Sequence, residues 1–314
     1  MRRSFACMWL MLACSLITWG QGTVPARIVV TTGHYYGGQP PVLTANDLIV
    51  TQNNNALKIT GLTPLRGDRA GLELFVLVDN CSSCEVGSKF DELSRFIAAQ
   101  PSTTAVGVAY IQDGRLQIAE NPTLDRERAI KALSPPGGSA PASPYGALTD
   151  LIKGWKQNSS RRVVLMISTG LDPSAADPQS PPSKSAEAAI QAAERGAVTV
   201  FAIYHPSADY NTTAFSKLYA GQVQLSHVAD ETGGESYFLS FGPLNSLAPF
   251  LADINQHLAN QYLLEFLASR GESPSDLQEV EVKSKIPDLD LMAPYRAVIS
   301  GKSATGHTKL TPKP

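Results

Sequence analysis

Between Gly71 and about Asn260, short apolar runs alternate with stretches whose apolar residues recur every three or four positions. The apolar runs are typical of buried strands, and the recurring pattern is typical of amphipathic helices. Strands separated by helices favour βαβ units around a largely parallel sheet. The predicted fold class is therefore α/β with a doubly wound, mostly parallel sheet. Predicted strands cover residues 72–78, 105–111, 163–167, 198–204 and 236–239, and predicted helices lie around residues 90–97, 123–133, 145–155, 186–195 and 247–258.

The pattern changes to β at both ends of this core. Residues 27–66 contain short β-like runs separated by Gly, Pro and Asn turn signals. Beyond Gln261, residues 262–267 are predicted to form a strand that is apolar except for Glu265, and residues 279–286 alternate between charged and mostly apolar side chains. Neither end has enough strands to bury a core alone, so we expect the two ends to pair into one β unit beside the core. The predicted segments are 27–66, 70–260 and 261–300, followed by a disordered tail at 301–314.

The N-terminus has the layout of a secretory signal peptide. Arg2 and Arg3 precede an apolar run from Phe5 to Trp19, and small residues follow up to Gly22. Residues 1–22 are therefore predicted to be removed, which places the mature protein outside the cytoplasm, either secreted or periplasmic. No later apolar run is long enough to span a membrane.

Charge and histidine content argue against several classes of function. The chain has 26 Lys and Arg against 28 Asp and Glu, and removing Arg2 and Arg3 changes the formal charge from −2 to −4. This balance does not indicate a nucleic-acid partner. The histidines stand at positions 34, 205, 227, 257 and 307 without ligand spacing, and there is no Gly-x-Ser-x-Gly motif. We therefore expect a protein that is not an enzyme.

An acidic, hydroxyl-rich loop follows the first core strand. Residues 75–84 read FVLVDNCSSC, so Asp79 ends the strand and Ser83 lies in the loop. In open parallel sheets this carboxyl edge is where ligands bind. The alternative is local, because Asp and Ser at this point also serve as helix caps.

Cys81 and Cys84 are the cysteines of the predicted mature chain. In an oxidising compartment, the simplest prediction is a disulfide between them. Two alternatives are free thiols and a catalytic dithiol, because a CxxC that opens a helix after a buried strand also suits a thiol–disulfide oxidoreductase. One observation argues against catalysis. The residues between the cysteines are Ser82 and Ser83, not the Gly-Pro or Pro-His pair usual in such oxidoreductases.

Several stretches together resemble one bacterial family. The layout of a short β region, an α/β core and a β-rich end is similar to the secreted VWFA-related proteins abundant in Acidobacteria, which contain a von Willebrand factor A-like (vWA) domain. The resemblance covers roughly residues 27–299 and rests on PVLTANDLIV at 41–50, NNN at 53–55, FVLVDN at 75–80, ETGGESYF at 231–238 and LANQYLL at 258–264. It implies a vWA/Rossmann-like fold.

The resemblance also implies a metal-ion-dependent adhesion site, in which three loops supply hydroxyl and carboxylate ligands to a magnesium ion. Asp79 and Ser83 match the family's first loop, but Cys81 replaces a serine. Ser143 is the nearest match to the threonine of the second loop, and Thr169 stands where the third loop has an aspartate. The implied site is therefore degenerate, and we expect no cofactor.

These comparisons with the family imply a ligand-binding face and a function. The face comprises Asp79, Asn80, Ser83, Ser143, Thr169 and Asp172, and any bound ion would contact Asp79, Ser83 and Ser143. The expected function is that of a secreted or envelope protein-binding module for adhesion or scaffolding, with a partner whose identity the sequence does not give. The alternative is a thiol–disulfide oxidoreductase that uses Cys81 and Cys84.

Overall fold

The computed structural model describes residues 22–34, 38–79, 87, 89–112, 115–134, 143–156, 160–172, 183–206, 214–238, 245–270 and 277–299. The strands in this part of the chain are β1 (Thr23–His34), β2 (Leu48–Gln52), β3 (Asn55–Ala56), β4 (Lys58–Pro64), β5 (Leu72–Asp79), β6 (Thr104–Gln112), β7 (Arg115–Thr123), β8 (Arg161–Ser168), β9 (Val198–Tyr204), β10 (Ser236–Tyr237), β11 (Gln261–Ser269), β12 (Leu277–Glu279), β13 (Glu281–Ser284), β14 (Leu289–Met292) and β15 (Arg296–Val298). The α-helices are α1 (Phe90–Ala98), α2 (Arg126–Lys131), α3 (Pro144–Gly154), α4 (Lys184–Gly196), α5 (Phe215–Glu231) and α6 (Ala248–Ala259).

The core is a six-stranded sheet in the order β10-β9-β8-β5-β6-β7. All neighbouring pairs are parallel except β6 and β7, which are antiparallel. Counted from β5, the strands follow the doubly wound order 3-2-1-4-5-6. The predicted fold class is confirmed, and the reversal of strand order falls between β5 and β8.

Side chains of β5 alternate between two apolar layers, as the pleat of a strand requires. Leu74 and Val76 pack with residues of α1, α2 and α6 on one face of the sheet. Phe75 and Leu77 pack with residues of α3, α4 and α5 on the other face. Because both faces are covered, the central strands read in the sequence as continuous apolar runs.

The two ends of the described chain form one β unit. β1 pairs antiparallel with β11, so that Val30 lies opposite Tyr262, and β4 pairs with the other edge of β11. β2 from the N-terminal end similarly pairs with β13 from the C-terminal end, whereas β12 and β15, which pair with each other, both belong to the C-terminal end. The expected pairing of the two ends is therefore confirmed. A separate apolar cluster fills this unit, with Val30, Val50, Leu264, Phe266 and Ile299 among its buried members.

Polar contacts join this β unit to the core. Arg296 on β15 donates hydrogen bonds to Glu194 at 2.9 Å and to Glu187 at 3.1 Å, and both acids belong to α4. The Tyr295 N–H donates to the Glu231 carbonyl at the end of α5. Within the described chain, no helix is both long and apolar enough to cross a bilayer.

In the core, the sequence pattern begins the helix predicted at residues 123–133 too early and misses two elements. α2 is capped by Asp125, whose carboxylate accepts the Arg128 N–H at 3.1 Å, and not by Thr123, which ends β7. The Thr123 hydroxyl instead accepts the Asp125 N–H at 3.1 Å. β7 and α5 are absent from the prediction.

Candidate functional site

Asp79 is the last residue of β5 and lies at the carboxyl edge of the sheet, next to the end of β8. This is the point where the strand order reverses, which is the usual ligand position in open α/β sheets. The Asp79 side chain is nevertheless turned inward, since the residue is only 7% exposed. Its carboxylate accepts a 2.8 Å hydrogen bond from the Ser168 hydroxyl and another from the Thr169 N–H.

Burial raises the pKa of Asp79 to about 6, although the hydrogen bonds from Ser168 and Thr169 oppose the shift. Removing a carboxylate from water disfavours its charged form, and two donors only partly compensate. The carboxylate is therefore mostly ionised at neutral pH, and its burial lowers the free energy of unfolding there.

The loop after β8 is held by its own hydroxyl groups. The Ser168 hydroxyl accepts the Gly170 N–H at 3.0 Å, and the Thr169 hydroxyl accepts the Leu171 N–H at 3.2 Å. Thr169 is 8% exposed, so the residue at the family's aspartate position is buried and takes part in the turn.

Two glycines allow α5 to pack directly against this loop. Gly170 has a φ of +66°, and a Cβ there would lie 2.2 Å from the Gly221 carbonyl oxygen. A Cβ at Gly221 would lie 2.4 Å from the Thr169 carbonyl oxygen. Any larger side chain would separate the two backbones, so the position of α5 is tied to the loop beside Asp79.

Asp172 lies further along the same loop and is also buried. Its Oδ2 atom accepts hydrogen bonds from the Ser183 hydroxyl, at 3.0 Å, and from the Ser185 hydroxyl. Ser183 at the same time caps α4 by accepting the Ala186 N–H. Asp172 thus fastens the loop to the first turn of α4.

Tyr145 joins α3 to this arrangement. Its fully buried hydroxyl donates a 2.9 Å hydrogen bond to the Gly170 carbonyl. Burial raises the pKa of Tyr145 well above its usual range, and the nearby Asp172 and Asp79 carboxylates raise it further. Both carboxylates therefore favour the protonated phenol of Tyr145, which can donate its hydrogen bond to the Gly170 carbonyl.

Ser143 serves as the N-cap of α3, because its hydroxyl accepts the Gly146 N–H at 3.3 Å. It lies two residues before Tyr145, so the structure brings Ser143, Thr169, Asp172 and Asp79 to one region of the carboxyl edge. The remaining predicted face residues, Asn80 and Ser83, lie outside the described residues, as do Cys81 and Cys84 of the predicted disulfide.

The sequence prediction omits Ser168, Ser183 and Ser185, which bond the two acids, and Tyr145, which bonds the loop between them. Ser168 carried a usable signal, since it directly follows the predicted strand 163–167 and therefore lies at the carboxyl edge of the sheet. The serines before α4 stand where helix caps are common. The partner of the Tyr145 hydroxyl, a backbone carbonyl 25 residues away, has no sequence signal.

The described side chains do not fit a magnesium site. Magnesium prefers octahedral oxygen ligands, with carboxylates supplying the charge. Thr169 supplies no charge, and the Asp172 carboxylate is directed to Ser183 and Ser185. Asp79 carries a carboxylate at this edge, but that group is turned inward to the Ser168 hydroxyl and the Thr169 N–H.

Exposed aromatic side chains lie at the same edge. Phe215 and Tyr219, on the first turns of α5, are 64% and 56% exposed, and their rings stack 6.4 Å apart. Phe238, 48% exposed, directly follows β10, which is parallel to β9. Among the described residues, only one other exposed aromatic side chain is present, Tyr295. Three of these four side chains therefore lie at the edge that carries Asp79.

Comparison with known proteins gives matches of structure only. No family model matches the chain, and no curated protein matches it in sequence. Similar solved structures include BatB from Bacteroides thetaiotaomicron (14% identity, 60% of this chain and 98% of that chain, TM-score 0.44). Others are the vWF domain of the pilus tip protein Mfa5 from Porphyromonas gingivalis (9%, 60% and 93%, 0.43) and the ArnB paralog VWA2 from Sulfolobus acidocaldarius (10%, 88% and 76%, 0.39). Identities this low do not transfer a function to the present chain.

Proposed function

We propose that this chain is a non-enzymatic protein-binding module whose contact surface is the carboxyl edge of the core sheet. The observation that carries the proposal is the group of exposed aromatic side chains, Phe215, Tyr219 and Phe238, at the edge of the sheet that also carries Asp79 and Asp172. Aromatic residues are enriched in protein interfaces, where they bury a large area at a low cost in side-chain entropy.

The hydrogen bonds of the edge support a preformed surface. Asp79, Thr169 and Asp172 hold the loop after β8 through contacts within the chain. Gly221 in turn packs α5, with its aromatic pair, against that loop. A loop that is already ordered loses little entropy on binding, which favours affinity.

The proposed setting is outside the cytoplasm, as the predicted signal peptide implies. There, a disulfide between Cys81 and Cys84 would stiffen the loop that follows Asp79. The thiol–disulfide oxidoreductase hypothesis gains no support from the described residues, and an insulin-reduction assay would test it directly.

Site-specific photo-crosslinking tests the proposed surface and captures a partner of any identity. Benzoylphenylalanine would replace Tyr219 in the protein expressed in its own organism. The matched control is the same replacement at Leu124, which is 62% exposed and follows β7 at the opposite, amino-terminal edge of the sheet.

The proposal predicts one discrete protein adduct from position 219 that is absent at position 124. Adding Phe215→Ala should weaken that adduct, because the substitution removes the stacked ring. Equal adducts from the two positions, or none from position 219, would contradict the proposal.

A further inference from the structure

A second polar site lies away from the carboxyl edge, where the core meets the flanking β unit. A cavity of about 330 Å³ opens between α6, the residue before β10, and strands β1 and β14. Its wall contains three carboxylates and one imidazole, those of Glu235, Asp253, Asp290 and His257. Lysine and arginine are absent from the described residues that line it.

The imidazole lies between two of the acids. His257 Nε2 is 3.6 Å from Asp253 Oδ2, one helical turn earlier on α6, and Nδ1 is 3.4 Å from Glu235 Oε2. One ligand atom from each of these residues lies within 4.8 Å of the other two. Bonds of about 2.1 Å to a tetrahedral ion would separate ligand atoms by about 3.4 Å, so modest side-chain rotations would bring the three atoms together.

His257 supplies an observation independent of the acidic cluster. Its side chain is only 7% exposed, yet Nδ1 has no hydrogen-bond partner among the described residues. The 3.4 Å approach to Glu235 lacks hydrogen-bond geometry. Buried polar atoms are nearly always paired, so an unpaired ring nitrogen in a residue that lines the cavity points to a missing ligand.

Gly33 on β1 keeps the cavity open beside the imidazole. A Cβ at this position would lie 3.2 Å from Asp290 Oδ2 and 3.3 Å from His257 Nε2. Asp290 and His257 therefore approach the same small space, which a side chain at position 33 would fill. Asp290 is on β14, so the flanking β unit supplies it.

Tyr237 orients the two acids of the core. Its hydroxyl lies 3.2 Å from Glu235 Oε2 and 3.0 Å from Asp253 Oδ2. The hydroxyl has one proton and donates to one of the two carboxylates at a time. Such a bond fixes the direction of a ligating carboxylate, as outer-shell groups do in metal sites.

We propose that Glu235, Asp253 and His257, with Asp290 as a fourth ligand, bind one divalent transition-metal ion such as Zn²⁺. An imidazole nitrogen combined with carboxylates suits such an ion, whereas magnesium favours oxygen ligands alone. The ion would connect α6 and the residue before β10 to β14, and so fasten the core to the flanking β unit. The expectation that the histidines lack ligand spacing overlooks Asp253, four residues before His257.

Titration of the metal-free mature protein with Co²⁺, followed by visible absorption, tests the site. The expected result is one bound ion per chain and a thermal midpoint that rises when Zn²⁺ is added. Asp253→Asn should weaken Co²⁺ binding at least tenfold, and His257→Gln should abolish it. Asp253 is the safer test of the two, because its side chain is 43% exposed and its replacement is nearly isosteric.

Asp79→Asn is the matched control, since it alters the carboxyl edge and leaves the proposed ligands in place. Binding that is unchanged in this variant and lost in Asp253→Asn supports the proposal. Absence of binding, persistence of full affinity in Asp253→Asn, or loss of binding in Asp79→Asn would overturn it.

Discussion

The Ser168 hydroxyl donates a 2.8 Å hydrogen bond to the Asp79 carboxylate, joining the ends of two neighbouring parallel strands. The same hydroxyl accepts the Gly170 N–H, so one serine links the acid of β5 to the turn that follows β8. Asp79 therefore organises the carboxyl edge, and its charge state is coupled to the stability of the fold.

The first prediction concerns Asp79→Asn and pH. The pKa of Asp79 is raised from 3.8 to about 6 in the folded state. Between these values the folded state binds the proton and the unfolded state does not, so wild-type stability falls as pH rises through this window and is constant above it. Because the amide does not ionise, the stability of Asp79→Asn relative to wild type should increase by up to about 3 kcal/mol between pH 4 and pH 8.

Urea unfolding of both proteins at the two pH values measures this difference. Asp91→Asn, at an exposed position on the first turn of α1, is the control. The stability of this variant relative to wild type should be the same at the two pH values. If the stability of Asp79→Asn relative to wild type fell as the pH rose, the result would contradict the buried position of the Asp79 carboxylate.

The second prediction concerns Ser168→Ala. Removing the hydroxyl leaves a buried, ionised carboxylate with one fewer donor, so the variant should lose about 1.5–3 kcal/mol of unfolding free energy at pH 8. The loss should be smaller at pH 4, where Asp79 is protonated.

Ser226→Ala is a matched comparison, because its hydroxyl bonds the neutral Ser236 hydroxyl at 2.7 Å. It should cost about 1 kcal/mol or less at either pH. Equal losses in the two variants at pH 8 would show that Ser168 does not support a charge.

The sequence predicts the central strands well and two other elements poorly. Strands β5, β8 and β9 are buried on both faces and read as apolar runs. α5 escapes prediction because its buried positions include Ala220, Gly221, Gln222 and Gln224, which give no apolar stripe. β7 escapes because most of its side chains are exposed or half-exposed.

The residues of the candidate site can likewise be predicted only in part from the sequence. Asp79 can be located from the sequence because a strand end fixes its place at the sheet edge. Its partner Ser168 is 89 residues away, and the pairing depends on strand order, which the sequence pattern leaves open. Glu235, His257 and Asp290 also meet only because the flanking β unit folds back on the core.

The third prediction concerns Gly221→Ala. The added methyl would meet the Thr169 carbonyl oxygen at 2.4 Å, which forces α5 away from the loop. Overpacking of this kind costs about 1–3 kcal/mol, and alanine recovers about 1 kcal/mol of helix propensity. We expect a net loss of stability, together with a weaker adduct in the crosslinking experiment at position 219.

Gly154→Ala is its control, because Gly154 is likewise a helical glycine, the last residue of α3, and a Cβ there would meet nothing within 4 Å. That variant should be as stable as wild type or more stable by up to about 1 kcal/mol. Thermal unfolding of the two variants side by side measures the contrast, and a stabilised Gly221→Ala would contradict the close approach.

The last prediction concerns the contact between Arg296 and Glu194. The Glu194 side chain is fully buried, and burial raises its pKa to about 7 even though Arg296 donates to it at 2.9 Å. Arg296→Ala removes the donor and leaves a buried acid, so the variant should lose roughly 3 kcal/mol at pH 8. Because Glu194 becomes neutral when it binds a proton, the loss of stability should be smaller at pH 6.

The double variant Arg296→Ala, Glu194→Gln should recover part of the loss at pH 8, since no buried charge remains. Urea unfolding of the four proteins of this double-mutant cycle measures the coupling. Lys283→Ala, which breaks the exposed pair of Lys283 with Glu281, is the control and should change little. If Arg296→Ala were equally harmless, the contact would not contribute to holding the flanking β unit against α4.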